Sequence, residues 1–255
     1  MLNDVLINLP ETSEVLFLAG LFFSGMTASF VNILAGGGSL LVLGFMMLCG
    51  IEPSVANATN RIGVLIACTS GAAAYKSEKF TDLKQSFKLS FWALPGAVAG
   101  AFFSVSIGNE LFEKLIALVM IFILATMFVP QKKQQEKSAE WGGIFLYPAM
   151  IAVGFYGGFI QVGVGFLIAA ALRHFGNMSL MKMNMHKLFV VLIFTVPVII
   201  VFLFSGKINW IYAAVLSCGN ALGSWLTVKL ALKKGEIVVK TGMVIAIVLM
   251  VIRFF

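Results

Sequence analysis

Ala35-Gly36-Gly37-Gly38-Ser39 separates an apolar run at 15–34 from a shorter one at 39–50, and Gly163-Val164-Gly165 stands likewise between runs at 142–161 and 164–175. At 1.5 Å of rise per residue, a run of about 12 residues reaches roughly 18 Å, against a hydrocarbon core of about 30 Å. The two short runs cannot cross a membrane alone. Glycine clusters allow positive φ and close backbone approach, so each reads as the tip of a hairpin in which a long helix enters, turns and returns as a half-helix. Irregular backbone at that depth has to be enclosed by protein or line an aqueous cavity.

Composition puts these hairpins in a membrane. The chain has 255 residues, 60% hydrophobic and 11% charged, with a mean hydropathy of +1.00, whereas soluble domains carry about 25% charged residues. Further apolar runs fall at 54–75, 85–104, 109–129, 180–204, 208–228 and 236–254. Eight of the ten runs are long enough to cross, and no soluble domain fits between them. No Lys or Arg precedes Arg61, and the start carries Asp4, Glu11 and Glu14, so the basic opening of a signal peptide is missing and the first run is expected to stay. The net charge of +7 comes from basic residues scattered between apolar runs, a pattern that sets topology and excludes nucleic acid as a partner. Cys49, Cys68 and Cys218 lie singly in apolar runs and read as packing residues, with no metal site or disulfide frame among them.

The glycine clusters also reveal a repeat. Gly36 with Gly163, Gly38 with Gly165 and Leu40 with Leu167 all share an offset of 127, and Gly96-x-x-x-Gly100 pairs with Gly219-x-x-x-Gly223 at an offset of 123. Both of the latter have the small-xxx-small spacing that lets membrane helices pack closely. The organisation read from this is repeat 1 at 1–129 with its tip at 35–39, a cytoplasmic linker at 130–141, and repeat 2 at 142–255 with its tip at 162–165. Each repeat is one hairpin plus three spans, and an odd number of spans inverts the second repeat relative to the first. Placing 75–84, 130–141, 173–187 and 229–236 in the cytoplasm puts all Lys and Arg in or within a few residues of these stretches except Arg61, Lys114, Lys207 and Arg253, as the positive-inside rule asks. Both termini then lie outside. The fold class expected is an all-α polytopic membrane protein of two inverted repeats, an arrangement of transporters that bind cargo near the midplane and work by alternating access.

If Ser39 and Val164 open the half-helices, their N–H groups and positive dipole ends meet at the centre, where an anion fits. The candidate binding residues at the tips are Gly36, Gly37, Gly38, Ser39, Gly163 and Gly165, with Asn32 and Gln161 beside them. Beyond each half-helix lies a second polar group: Asn57-Ala58-Thr59-Asn60-Arg61 in repeat 1 and Asn184-Met185-His186-Lys187 in repeat 2. Shifting the offset to 126 superposes Arg61 on Lys187 and Asn60 on His186. Each basic residue sits about seven residues into its run, roughly 10 Å deep, where ionisable groups default to functional candidates. Arg61 would offer a fork and Lys187 a point charge to one anion, with Asn32, Ser39, Thr59, Asn60 and Gln161 adding neutral bonds.

No Asp or Glu occurs at 15–51, 53–77, 83–109, 114–135 or 141–235. The buried carboxylates of proton relays and cation sites are therefore missing, and His186 is the candidate for a titrating group. His174, beside Arg173 at a half-helix C-terminus, reads as a dipole partner. No catalytic set, metal cluster or cofactor motif can be assembled from one deep histidine and no deep acid, so an enzyme is not expected. Trp92, Trp141 and Trp210 read as interface anchors, and Met178, Met181, Met183 and Met185 as adaptable packing.

Ala35-Gly36-Gly37-Gly38-Ser39-Leu40, Pro53-Ser54-Val55-Ala56-Asn57-Ala58-Thr59-Asn60-Arg61, Gly154-Phe155-Tyr156-Gly157-Gly158-Phe159 and His186-Lys187 together resemble the TauE/SafE family of membrane permeases. The resemblance covers nearly the whole chain. It implies a multi-pass protein of the cell inner membrane that exports small sulfur-containing anions such as sulfite or organosulfonates. Val164 interrupts the second glycine cluster, and Met183 to Met185 stand where smaller residues are usual in this pattern. Other cargoes in the same class are a carboxylate or thiosulfate; a membrane-embedded enzyme or an assembly protein is the alternative outside it. The partners expected are the small anion and the lipid bilayer, with homo-oligomerisation left open by the sequence.

Overall fold

A computed structural model describes residues 11–34, 36–77, 83–108, 110–112, 114–116, 118–119, 142–176, 178 and 180–230. The described residues form helices and short turns, with no strand among them. The helices are α1 (Glu11–Leu34), α2 (Ser39–Leu48), α3 (Pro53–Ser77), α4 (Leu83–Ser106), helical residues within 110–119 (α5), α6 (Gly142–Phe159), α7 (Val164–Gly176), α8 (Leu180–Phe204) and α9 (Trp210–Leu230). Each boundary falls within a few residues of the run that predicts it. Linker 130–141, Trp141, most of run 109–129 and run 236–254 lie outside the described residues.

Four described helices are long and apolar enough to cross a membrane: α1, α4, α8 and α9. Run 54–75 forms α3, which has 25 residues and carries Asn57, Thr59, Asn60 and Arg61. All four of these side chains are buried against protein. α6 has 18 residues. The half-helices α2 and α7 have 10 and 13 residues. Both are too short to span, as their runs predict.

Two helix pairs pack with almost no side-chain layer between them. A methyl on Gly96 or Gly100 of α4 would lie 2.0 Å from the carbonyl oxygens of Ile151 and Phe155 on α6, and one on Gly154 or Gly158 would lie 2.1 or 1.9 Å from those of Ala93 and Ala97. Gly219 and Gly223 of α9 approach Phe22 and Met26 of α1 in the same manner, at 2.1 and 2.3 Å. These contacts correspond pairwise: the Gly-x-x-x-Gly motif that follows each α3- or α8-type helix packs on the first arm of the hairpin in the other half of the sequence.

Apolar residues gather in two clusters. One joins α4, α6, α7 and α8 through Leu89, Met150, Ile168, Met185 and Phe194. The other joins α1, α2, α5 and α9 through Leu21, Leu43, Phe112 and Leu216. α3 contributes to both, with Ala58 and Val64 in the first and Ala56 in the second, and α1 and α9 also reach the first through Ile33, Ala213 and Val228. Its polar stripe thus stands at the boundary between them. Leu16, Phe23, Phe91, Phe102, Leu222 and Trp210 are exposed, as suits a surface facing lipid. Met183 and Met185 are buried in the first cluster, the packing role their flexible side chains predict.

Candidate functional site

Both tips turn on a glycine with positive φ, Gly36 at 100° and Gly163 at 71°, a region costly to any residue with a Cβ. At the first tip the Gly36 N–H donates to Val31 O at 3.1 Å and α2 begins at Ser39, without a side-chain cap. At the second, the Ile160 N–H donates to Tyr156 O at 2.8 Å and the Tyr156 hydroxyl to Val162 O at 2.5 Å. The tips touch. A methyl on Gly36 would lie 2.3 Å from the Gly165 carbonyl carbon, and one on Gly165 would lie 2.5 Å from Gly36 Cα. Gly37 faces the Phe166 ring, while Gly38 packs on Ala28 O of its own hairpin arm. The turn ahead of α2 and the first turn of α7 are therefore in direct contact, as the two glycine clusters predict.

The α3 stripe holds the second tip. Arg61 is fully buried. Its Nη1 donates to Gly157 O and Gln161 Oε1, both at 2.9 Å, and its Nη2 to Gly158 O at 2.6 Å and Phe159 O at 3.3 Å. The guanidinium also lies 4.5 Å from the centre of the Phe202 ring. Asn57 bridges the same break, donating from Nδ2 to Phe159 O at 3.3 Å and accepting from the Gln161 N–H at 3.4 Å. A helix that stops inside the membrane leaves its last carbonyls unpaired and negative, and a planar fork is suited to several of them at once. Arg61 therefore caps the C-terminus of α6 as well as bringing positive charge to the tip.

Lys187 occupies the corresponding place at the first tip. Its Nζ donates to Ile33 O, near the end of α1, at 2.9 Å and to Asn184 Oδ1 at 3.0 Å. Neither Arg61 nor Lys187 has a carboxylate partner among the described residues; the ion pair found there is Lys114–Glu110, on the surface. The sequence placed both cations toward a shared anion. The structure has each one donating to backbone carbonyls of the opposite half.

The other predicted residues divide. Thr59 points away from the tips, its hydroxyl accepting from the Asn209 N–H at 3.1 Å. His186 Nδ1 lies 2.8 Å from the Ser86 hydroxyl of α4. Ser39 is buried at the start of α2, whereas Asn32 is half-buried on α1. His174 and Arg173 occupy the last turn of α7, where a dipole partner belongs. Among the described residues, the buried atoms left without a hydrogen-bond partner include Arg61 Nε, Gln161 Nε2 and both amide atoms of Asn60. No group of three or more His, Cys, Asp or Glu that could hold a metal occurs among the described residues.

Sequence reasoning missed a second polar contact. The Ser29 hydroxyl donates to Asn220 O at 3.0 Å and Asn220 Oδ1 at 2.7 Å, between α1 and α9. A signal for it existed: Asn220 corresponds to Ala97 at the 123 offset, and Ala97 meets Gly158 where Asn220 meets Ser29.

Residues 21–254 match the model of the family described as "Sulfite exporter TauE/SafE". The chain is 26% identical over 233 residues to a "Probable membrane transporter protein" of Haemophilus influenzae, covering 89% of this chain and 90% of the relative. It is 27% identical over 235 residues to the "Probable membrane transporter protein YfcA" of Escherichia coli K12, covering 90% and 86%. A Bacillus subtilis protein named "Probable membrane transporter protein YunE" is 24% identical over 237 residues, covering 83% and 86%. No solved structure matches the chain.

Proposed function

The chain belongs to the TauE/SafE sulfite exporter family of membrane transporters, and from that membership and the geometry of the two tips we propose that it exports a small sulfur-containing anion, such as sulfite or an organosulfonate, across the cell inner membrane. The observation that carries the reading is the direct contact of the two broken-helix tips beside buried donors that lack partners, Arg61 Nε and Gln161 Nε2. Donors fixed in place and shielded from water attract an anion strongly and pay little reorganisation when it arrives. The absence of a carboxylate from the described residues around these tips leaves the field there positive. Anion binding engages the tip glycines together with Ser39, Asn60, Arg61, Gln161 and Lys187.

The reciprocal glycine contacts support two inverted repeats, 1–129 and 142–255 joined by 130–141, and the distribution of Lys and Arg supports both termini outside. Alternating access then follows from movement about the tips. Flux of labelled sulfite, sulfoacetate, acetate and chloride into proteoliposomes, for the natural chain and Arg61→Ala, tests the proposal. Selective flux of a sulfur oxyanion that falls in the variant is the expected result. Equal flux of all four anions, or none through correctly folded protein, overturns it.

A further inference from the structure

The unmet groups at the second tip are not all donors, and this difference supports an inference that rests on the anion-binding reading above. Among the described residues, Arg61 Nε and Gln161 Nε2 are buried donors without partners on two side chains joined by the 2.9 Å bond from Arg61 Nη1 to Gln161 Oε1. Asn60, 1% exposed, has a partner for neither its amide nitrogen nor its amide oxygen. At about 100° per helical residue, Asn60 lies about 60° to one side of Asn57 and Arg61 about 40° to the other, while Thr59 stands about 160° from Asn57. The structure agrees at three of these positions: Asn57 and Arg61 bond to the second tip, and Thr59 bonds to Asn209. Asn60, one turn after Asn57, stands at the edge of the face that meets the second tip.

An anion that brings only acceptor oxygens meets the donors and leaves one buried acceptor, the Asn60 oxygen, dry and unpaired. That is costly, and sites built around such a group reject an analogue lacking the matching hydrogen more strongly than any difference in size allows. Charge points the same way. Arg61 supplies one positive charge at this tip with no carboxylate partner among the described residues, and Lys187 is engaged with Ile33 O at the other. The geometry points to a singly charged oxyanion that carries its own hydrogen-bond donor, its oxygens on Arg61 Nε and Gln161 Nε2 and its donor on Asn60 Oδ1. That hydrogen can sit on the oxyanion itself, as in hydrogen sulfite, or on its tail, as in a hydroxyalkanesulfonate.

Calorimetric titration of the purified full-length protein with two matched pairs separates these sources. The first pair is sulfite in mildly acid and mildly alkaline buffer, which sets the hydrogen-bearing monoanion against the dianion. Ethanesulfonate, a monoanion in both buffers, reports the protein's own response to pH. The second pair is 2-hydroxyethanesulfonate against ethanesulfonate. The donor-bearing member of one pair is expected to bind about tenfold tighter or more, the scale of one hydrogen bond to a buried group, and Asn60→Leu is expected to erase that preference. Equal binding within both pairs overturns the selection for a donor while the anion reading stands. A preference that survives Asn60→Leu overturns the role of Asn60. Failure of every anion to bind overturns the anion reading itself. If Asn60→Leu does not fold, the two pairs on the natural chain still decide the matter.

Discussion

Gly36→Ala and Gly50→Ala form a controlled pair for the contact between the tips. Both glycines have positive φ, 100° and 82°, so both variants suffer the left-handed penalty of about 1–2 kcal/mol. Gly50 closes α2 as a helix-ending glycine, with the Ile51 N–H donating to Met46 O at 3.0 Å, and nothing lies within 4 Å of a methyl there. At Gly36 that methyl would lie 2.3 Å from Gly165 C and 2.6 Å from the Phe166 N. Backbone cannot move aside by changing rotamer, so overpacking adds about 1–3 kcal/mol or more. For a chain of this size each kcal/mol lowers the melting temperature by about 2–4 °C. Thermal unfolding in detergent should therefore show Gly36→Ala falling roughly twice as far as Gly50→Ala. Gly165→Ala meets the same contact from the other side, and its loss should not add to that of Gly36→Ala in the double variant. If Gly36→Ala and Gly50→Ala melt together, the tips do not abut and the site built on them is misplaced.

Three further outcomes bear on the assembly. Arg61→Lys keeps the charge but loses the fork over Gly157 O and Gly158 O, so flux in proteoliposomes is expected to fall about tenfold or more, the scale of a lost charge-assisted bond; flux equal to the natural chain would show that charge alone suffices. Alkaline phosphatase fused after Phe255 should be active, since the C-terminus is expected outside, and an inactive fusion that is stably produced would reverse the orientation. In a chain whose native cysteines are replaced, a short thiol-reactive linker between Trp92→Cys and Tyr147→Cys, on α4 and α6 where the natural rings lie 5.3 Å apart, should leave flux intact; lost flux would mean that α4 and α6 separate during transport.

The hairpins were legible because their signals are local. A glycine cluster followed by a run too short to span announces a broken helix, and α2 and α7 start at Ser39 and Val164 where those clusters end. The Gly-x-x-x-Gly motifs announced close packing but not their partners, since a spacing of four describes one surface only. Their partners proved to lie in the opposite half. Hydropathy alone understates α3 for a related reason: it prices a polar side chain as if it met lipid, and Asn57, Asn60 and Arg61 meet protein. The burial of Arg61 and Lys187 could be read from their place along the helix, whereas their direction could not. Arg61 is bound to acceptors about a hundred positions away, and nothing local distinguishes a cation that waits for an anion from one that caps a helix.

That capping bears on which helices travel together. Arg61 and Asn57 tie α3 to the end of α6, and Lys187 ties α8 to the end of α1, so each break is completed by the other half of the sequence. The glycine contacts cross in the same way, α4 on α6 and α9 on α1. A burial that would be costly for a lone guanidinium or ammonium is offset here by helix-end carbonyls. The four carbonyl bonds of Arg61 and Asn57 hold the second tip more firmly than the one carbonyl bond of Lys187 holds the first. Rigid units cut along the two sequence halves would have to break all of these bonds in every transport cycle. Units cut between the two apolar clusters keep α4 with α6 and α1 with α9, and require fewer buried groups to change partners. The α4–α6 linker distinguishes these two divisions, because it leaves a cluster-wise motion free and blocks a half-wise one.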